Sequence, residues 1–187
     1  MKMYSFNEKL YKKCKKELDK KSDSKYGYED GFLSCYYSPI LIVLKQLFKD
    51  FKNKKILEVG YRVPLFLDYL KGEGADVYGI DVDPAVVGDN LIKMSVEKMD
   101  KEFMKKHKFD VIFERITLSR LYDENYFLDT GKFRFKNKEK ILSNLYVLLK
   151  KGGYLILQDD RGSIFTESQF KKIGFKKVMK EIPIIYI

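Results

Sequence analysis

KKILEVGYRVP, residues 54–64, is the stretch on which the fold turns. Lys55 to Val59 reads as a short apolar strand that carries an acid, Glu58, and runs into Gly60. Pro64 opens the next helix, because its missing N–H is not needed in a first turn. Leu65, Phe66, Tyr69 and Leu70 form that helix's apolar stripe, and Gly72 and Gly74 end it. VYGID, residues 77–81, then repeats the apolar run and stops at an aspartate. A strand, a turn, a helix and a second strand with a terminal acid make a βαβ unit able to receive a nucleoside at the strand ends. The turn itself, Gly60-Tyr61-Arg62-Val63-Pro64, is not glycine-rich.

The same alternation extends in both directions. Downstream, Asp83-Pro84 reads as an N-cap and first turn of a short helix. Leu91 to Met94 is a weak third strand, residues 96–106 are helical with Val96, Met99 and Phe103 inward, and Phe109 to Phe113 is a fourth strand. Lys138 to Leu149 is a helix stopped by Lys151-Gly152-Gly153, and Tyr154 to Gln158 is a fifth strand. Thr166 and Gln169 make a capping box for a helix ended by Gly174. Two closing strands, residues 175–181 and 184–187, are too close for a helical crossover and so pair antiparallel. Upstream, residues 7–20 form a basic amphipathic helix with Leu10, Cys14 and Leu18 on one face. Residues 21–37 read as a loop, and Ser38 caps a helix with Pro39 at its first position. Near-continuous apolar strands separated by helices imply a parallel sheet covered on both faces, a three-layer α/β fold.

Composition narrows the chemistry. The 187 residues suffice for one domain with a sizeable core. No apolar run reaches the roughly 18 residues of a membrane span. The N-terminus lacks the apolar core of a secretory signal, so a cytoplasmic chain with reduced cysteines is expected. Cys14 and Cys35 are not in metal spacing, and His107 is the only histidine, so no metal site is expected. The formal net charge is +10, and lysine supplies most of it. That charge suits either a solvated lysine surface or one facing nucleic acid.

ILEVG, VYGIDVDP, FDVIFERITL, LLKKGGYLILQDD and GFKKV, in that order, resemble the class I S-adenosylmethionine-dependent methyltransferases. The resemblance covers residues 38–187 and leaves residues 1–37 as a helical and loop extension on the lid or acceptor side. It implies a doubly wound seven-stranded sheet of order 3-2-1-4-5-7-6 with strand 7 antiparallel. It also implies S-adenosylmethionine as cofactor, with S-adenosylhomocysteine as product.

The resemblance assigns the site residues. Glu58 and Gly60 begin the loop beside the methionine part of the cofactor, and Tyr61 and Arg62 continue it. Arg62 stands where the family has a second glycine. It either pairs with the methionine carboxylate or fills the site. Asp81 accepts from the ribose hydroxyls, or caps the next turn. Val82 flanks the adenine, and Ser95 and Val96 follow the third strand near the adenine amino group. Glu114 faces the methyl group or the acceptor, or pairs with Arg115 or a surface lysine. Methyl transfer from a sulfonium leaves a neutral group, so positioning supplies much of the catalysis and no histidine is required. No particular residue is singled out as catalytic.

The acceptor is either a small molecule or RNA. Tyr122, Tyr126, Phe127, Phe133 and Phe135 interleave with Arg120, Lys132, Arg134 and Lys136 after the fourth strand. Such a segment stacks bases and neutralises phosphates, or forms a hydrophobic cover with lysines outward. The alternative to an enzyme is an inactive protein on the same fold that binds nucleic acid or a protein through its basic surface. An NAD-dependent oxidoreductase lacks support, because no G-x-G-x-x-G follows the first strand.

Overall fold

The computed structural model describes residues 8–20, 26–27, 31–118, 135–158 and 164–176. Their strands are β1 (Lys55–Val59), β2 (Asp76–Asp81), β3 (Leu91–Lys93), β4 (Phe109–Arg115) and β5 (Leu149–Gln158). They form one parallel sheet in the order β3-β2-β1-β4-β5. The helices are α1 (Glu8–Leu18), α2 (Phe32–Leu47), α3 (Leu65–Gly72), α4 (Lys101–Lys106), α5 (Lys138–Leu148) and α6 (Glu167–Ile173). This is the expected doubly wound order through its fifth strand. The two closing strands, with their antiparallel pairing, lie outside the described residues.

The two-residue period of each strand builds the layers. Ile56 of β1 and Val111 and Phe113 of β4 face a core with Cys14, Leu18, Tyr37, Ile40, Leu41, Leu44, Phe66 and Leu70 of α1, α2 and α3. Leu57 and Val59 of β1 and Ile112 of β4 face the opposite core with Phe103, Ile141, Leu142, Leu145, Leu148 and Phe170 of α4, α5 and α6. Register then places the site. Glu58 lies opposite Gly79 and Phe113, and Val59 lies opposite Ile80 and Glu114. Gly60, Asp81 and Arg115 therefore sit together at the C-terminal rim.

Several boundaries differ from the sequence reading, each for a tertiary reason. α2 begins at Phe32, not at Ser38, and Pro39 lies inside it. Leu33 and Tyr37 extend the buried face of Ile40, Leu41 and Leu44 by more than a turn, and this burial outweighs the cost of the proline. Ser38 is not a cap: its hydroxyl donates to the Ser34 carbonyl. Asp83-Pro84 starts no helix. The Asp83 N–H donates to Asp81 Oδ1 and the Ala85 N–H to the Arg62 carbonyl, so that backbone is bonded to the rim rather than to itself.

The helix expected over 96–106 is present only from Lys101. Asn144 of α5 donates to the Val96 carbonyl at 2.7 Å, taking an acceptor a helix would need. Asp100 then caps α4 by accepting from the Phe103 N–H. β5 starts at Leu149 directly after α5, and the Lys150-Gly153 stretch is an irregularity within it, with Gly152 at φ 80°. β4 runs on to Arg115, so Glu114 belongs to the strand. The Thr166/Gln169 capping box is present, and Gly174 ends α6 at φ 117°.

Candidate active site

Gly60 follows β1 at φ 80°, a conformation open to glycine, and its N–H donates to the Ile80 carbonyl. Tyr61 turns inward. It is 2% exposed, and its ring lies on Gly79, where an added Cβ would stand 2.5 Å from the ring. Its hydroxyl donates to the Val86 carbonyl. Burial pushes the Tyr61 phenol up to about 12, with the nearby Asp81 and Glu58 charges adding to it. Arg62 is exposed and takes a left-handed φ of 42°. Its backbone N–H donates to Asp81 Oδ2 at 2.9 Å. Tyr61 and Arg62 thus fasten the loop after β1 to the segment after β2.

Asp81 ends β2, half-buried, with Oδ1 on the Asp83 N–H and Oδ2 on the Arg62 N–H. Each carboxylate oxygen has lone pairs to spare after one such bond. Val82 follows, half-buried against the second core. The Met94 N–H donates to the Asp81 carbonyl, which brings Ser95 near the end of β2. Val96 is 2% exposed and belongs to the second core.

Glu58 lies buried near the end of β1. It is 1% exposed, and its Oε1 accepts from the Tyr37 hydroxyl at 2.8 Å. Its Oε2 is buried with no hydrogen-bond partner among the described residues. Burial raises the carboxyl to about 8, against the Tyr37 hydrogen bond and the Arg115 charge, which favour the ion. Arg115 lies on the same side of the sheet. Its guanidinium stands 4.5 Å from the Tyr36 ring centroid and 5.3 Å from that of Tyr37. Its Nε is likewise buried without a partner.

Glu114 is 2% exposed and points to the other face of β4. Its Oε2 accepts from the Thr117 and Leu118 N–H groups at 3.0 and 3.1 Å, holding the turn that leaves the strand. Within that turn Ile116 has φ 61°, an outlier for a β-branched residue, fixed by its N–H bond to the Gln158 carbonyl at 2.7 Å. The turn lays Thr117 on Gly60. A Cβ at Gly60 would meet Thr117 Oγ1 at 2.1 Å and Cγ2 at 2.3 Å. Gly60 is required by a neighbouring side chain as well as by its own φ.

The rim therefore unites Glu58, Gly60, Tyr61, Arg62, Asp81 and Glu114, with Val82 and Ser95 beside Asp81. Sequence reasoning missed Tyr37 and Thr117 and saw Arg115 only as a surface partner for Glu114. Tyr37 falls in the stretch whose composition reads as a loop, so nothing local places it over β1. Helical spacing from Leu33 through Tyr37 to Leu41 and Leu44 was the available signal. The aromatic and cationic segment that follows the fourth strand lies outside the described residues over 119–134, and only its end, with Phe135 and Lys136, is described. No group of three or more His, Cys, Asp or Glu able to hold a metal occurs among the described residues.

Solved structures give partial matches to this chain. An S-adenosylmethionine-dependent methyltransferase from Aquifex aeolicus is similar at 21% identity and TM-score 0.49, covering 91% of this chain and 89% of its own. A putative one from Listeria monocytogenes gives 18% and 0.44, covering 64% and 54%. One from Archaeoglobus fulgidus gives 19% and 0.42, covering 75% and 63%. The chain spans about half the length of the Listeria protein. No curated protein matches it significantly. The model of the methyltransferase domain matches residues 33–185, most of the chain. By that match the chain belongs to the methyltransferase-domain family.

Proposed function

We propose that the chain transfers a methyl group from S-adenosylmethionine to a small-molecule or RNA acceptor. The observation that supports this most is the pair of carboxyl groups at the ends of β1 and β2. Glu58 offers a buried oxygen without a partner, and Asp81 offers a half-exposed carboxylate with spare lone pairs. Those features fit a cationic amino-acid end and a ribose. When bound, the cofactor supplies an electrophilic methyl group on a sulfonium with a neutral leaving group. Asp81 holds the ribose hydroxyls, Glu58 meets the ammonium, and Val82 lies beside the adenine. Glu114 positions the turn that borders the reacting groups. The acceptor enters on the side of α2, and the chain works in the cytoplasm.

A second reading has its own support. Thr117 lies on Gly60, and both Asp81 oxygens already accept backbone N–H groups. A chain so closed fits a binding protein that engages nucleic acid or a protein partner through its +10 surface. Calorimetric titration with S-adenosylmethionine and S-adenosylhomocysteine separates the two. Binding in the micromolar range, weakened at least tenfold by Asp81→Ala, is the expected result. No heat and no thermal shift at millimolar ligand would leave the second reading standing.

A further inference from the structure

Glu58, Tyr37 and Arg115 form a cluster that nothing in the family match assigns. Glu58 sits at the end of β1, one residue from the loop, with one oxygen held by Tyr37 and the other without a partner. Among the described residues, the only hydrogen-bond donor placed on it comes from α2. Arg115 of β4 faces it from the same side, yet stacks on Tyr36 and Tyr37 and makes no described ion pair with it. Asp81 of β2 and the Tyr61 phenol of the loop also face it, and neither supplies a positive charge.

A carboxylate so enclosed and so weakly matched is costly to ionise, and the unliganded protein avoids that cost by keeping the proton. We propose that Glu58 carries a proton in the free protein and releases it to solvent when a cationic amino-acid group arrives at the rim. The carboxyl O–H bond breaks, a buffer base takes the proton, and Glu58 changes from neutral to negative as the ligand brings its positive charge. Tyr37 is the positioning residue: its hydroxyl fixes Oε1 and favours the ionised form. Burial that raises the free carboxyl to about 8 agrees with this assignment. The inference rests on the proposed cofactor, and it extends the cofactor site onto α2.

Linkage fixes the sign. Binding that expels a proton strengthens as pH rises, by up to about tenfold per pH unit below the free carboxyl's midpoint, and levels off above it. The test is calorimetric titration with S-adenosylhomocysteine at pH 7 in buffers of different ionisation enthalpy. This ligand keeps the α-ammonium but lacks the sulfonium. Wild type should release close to one proton, Glu58→Gln close to none, and the difference removes any proton the ligand itself exchanges. Tyr37→Phe should still bind, with its affinity profile moved to higher pH. Equal proton counts in wild type and Glu58→Gln would overturn this inference while leaving the cofactor reading intact. An unmoved profile in Tyr37→Phe would remove Tyr37 from the device. Absence of any binding would overturn both readings together.

Discussion

Gly60→Ala probes the rim most sharply, because two separable effects act on one atom. The residue sits at φ 80°, where a side chain costs about 1–2 kcal/mol. The new methyl would also stand 2.1, 2.3 and 2.5 Å from Thr117 Oγ1, Cγ2 and Cβ. Relief of such overpacking typically costs about 1–3 kcal/mol. The substitution should therefore destabilise by about 2–5 kcal/mol, lowering Tm by roughly 4–20 °C for a chain of this size. Thr117→Gly deletes all three clashing atoms. In that background Gly60→Ala should cost only the backbone part, about 1–2 kcal/mol. Urea unfolding of the four proteins, with unchanged m, gives the coupling directly, expected at about 1–3 kcal/mol. Equal costs in the two backgrounds would refute the contact, and a neutral Gly60→Ala would refute the backbone argument as well.

Stability should fall as pH rises from about 5 to 8, because Glu58 is raised from 4.5 to about 8 in the folded chain. A raised carboxyl favours folding below its unfolded value and loses that advantage on passing its folded one, with a ceiling of about 4–5 kcal/mol. Glu58→Gln should remove this slope, and wild-type and variant curves that run parallel over the window would count against a protonated Glu58. Gly79→Ala should cost about 1–3 kcal/mol by chemical denaturation, because its Cβ would stand 2.5 Å from the Tyr61 ring; wild-type stability would mean that Tyr61 lies elsewhere. If Thr117 covers the cofactor's approach over Gly60, Thr117→Gly should tighten S-adenosylmethionine binding severalfold, and unchanged affinity in calorimetry would place the cofactor away from it. RNA binding through the lysine surface should weaken with salt, at a log–log slope of about −0.7 per phosphate neutralised; a flat response in filter binding would remove RNA as a partner.

The fold was legible wherever a local pattern and its tertiary use coincide. β1 and β2 are apolar runs closed by Gly60 and Asp81, and the parallel sheet buries both faces of such runs. The capping box at Thr166 and Gln169 is equally local: donor, acceptor and spacing lie within one turn. Boundaries were misread where the decisive partner is distant. Pro39 signals a helix start by itself, but the apolar face of α2 continues through Leu33 and Tyr37 onto the sheet and overrides it. Val96 lies on a helical stripe, but Asn144, far along the chain, takes its carbonyl.

The site divides on the same physical line. By itself the sequence determined the acid at the end of β1, the glycine after it and the acid at the end of β2, because each is tied to a strand end by its own local rule. Only the tertiary structure decided the condition of those groups. Register and packing shut Glu58 away from water under Tyr37, turned Tyr61 onto Gly79, and laid Thr117 on Gly60. Burial, ionisation and close approach are properties of neighbours from α2, from β2 and from the turn after β4, and no spacing along the chain encodes them.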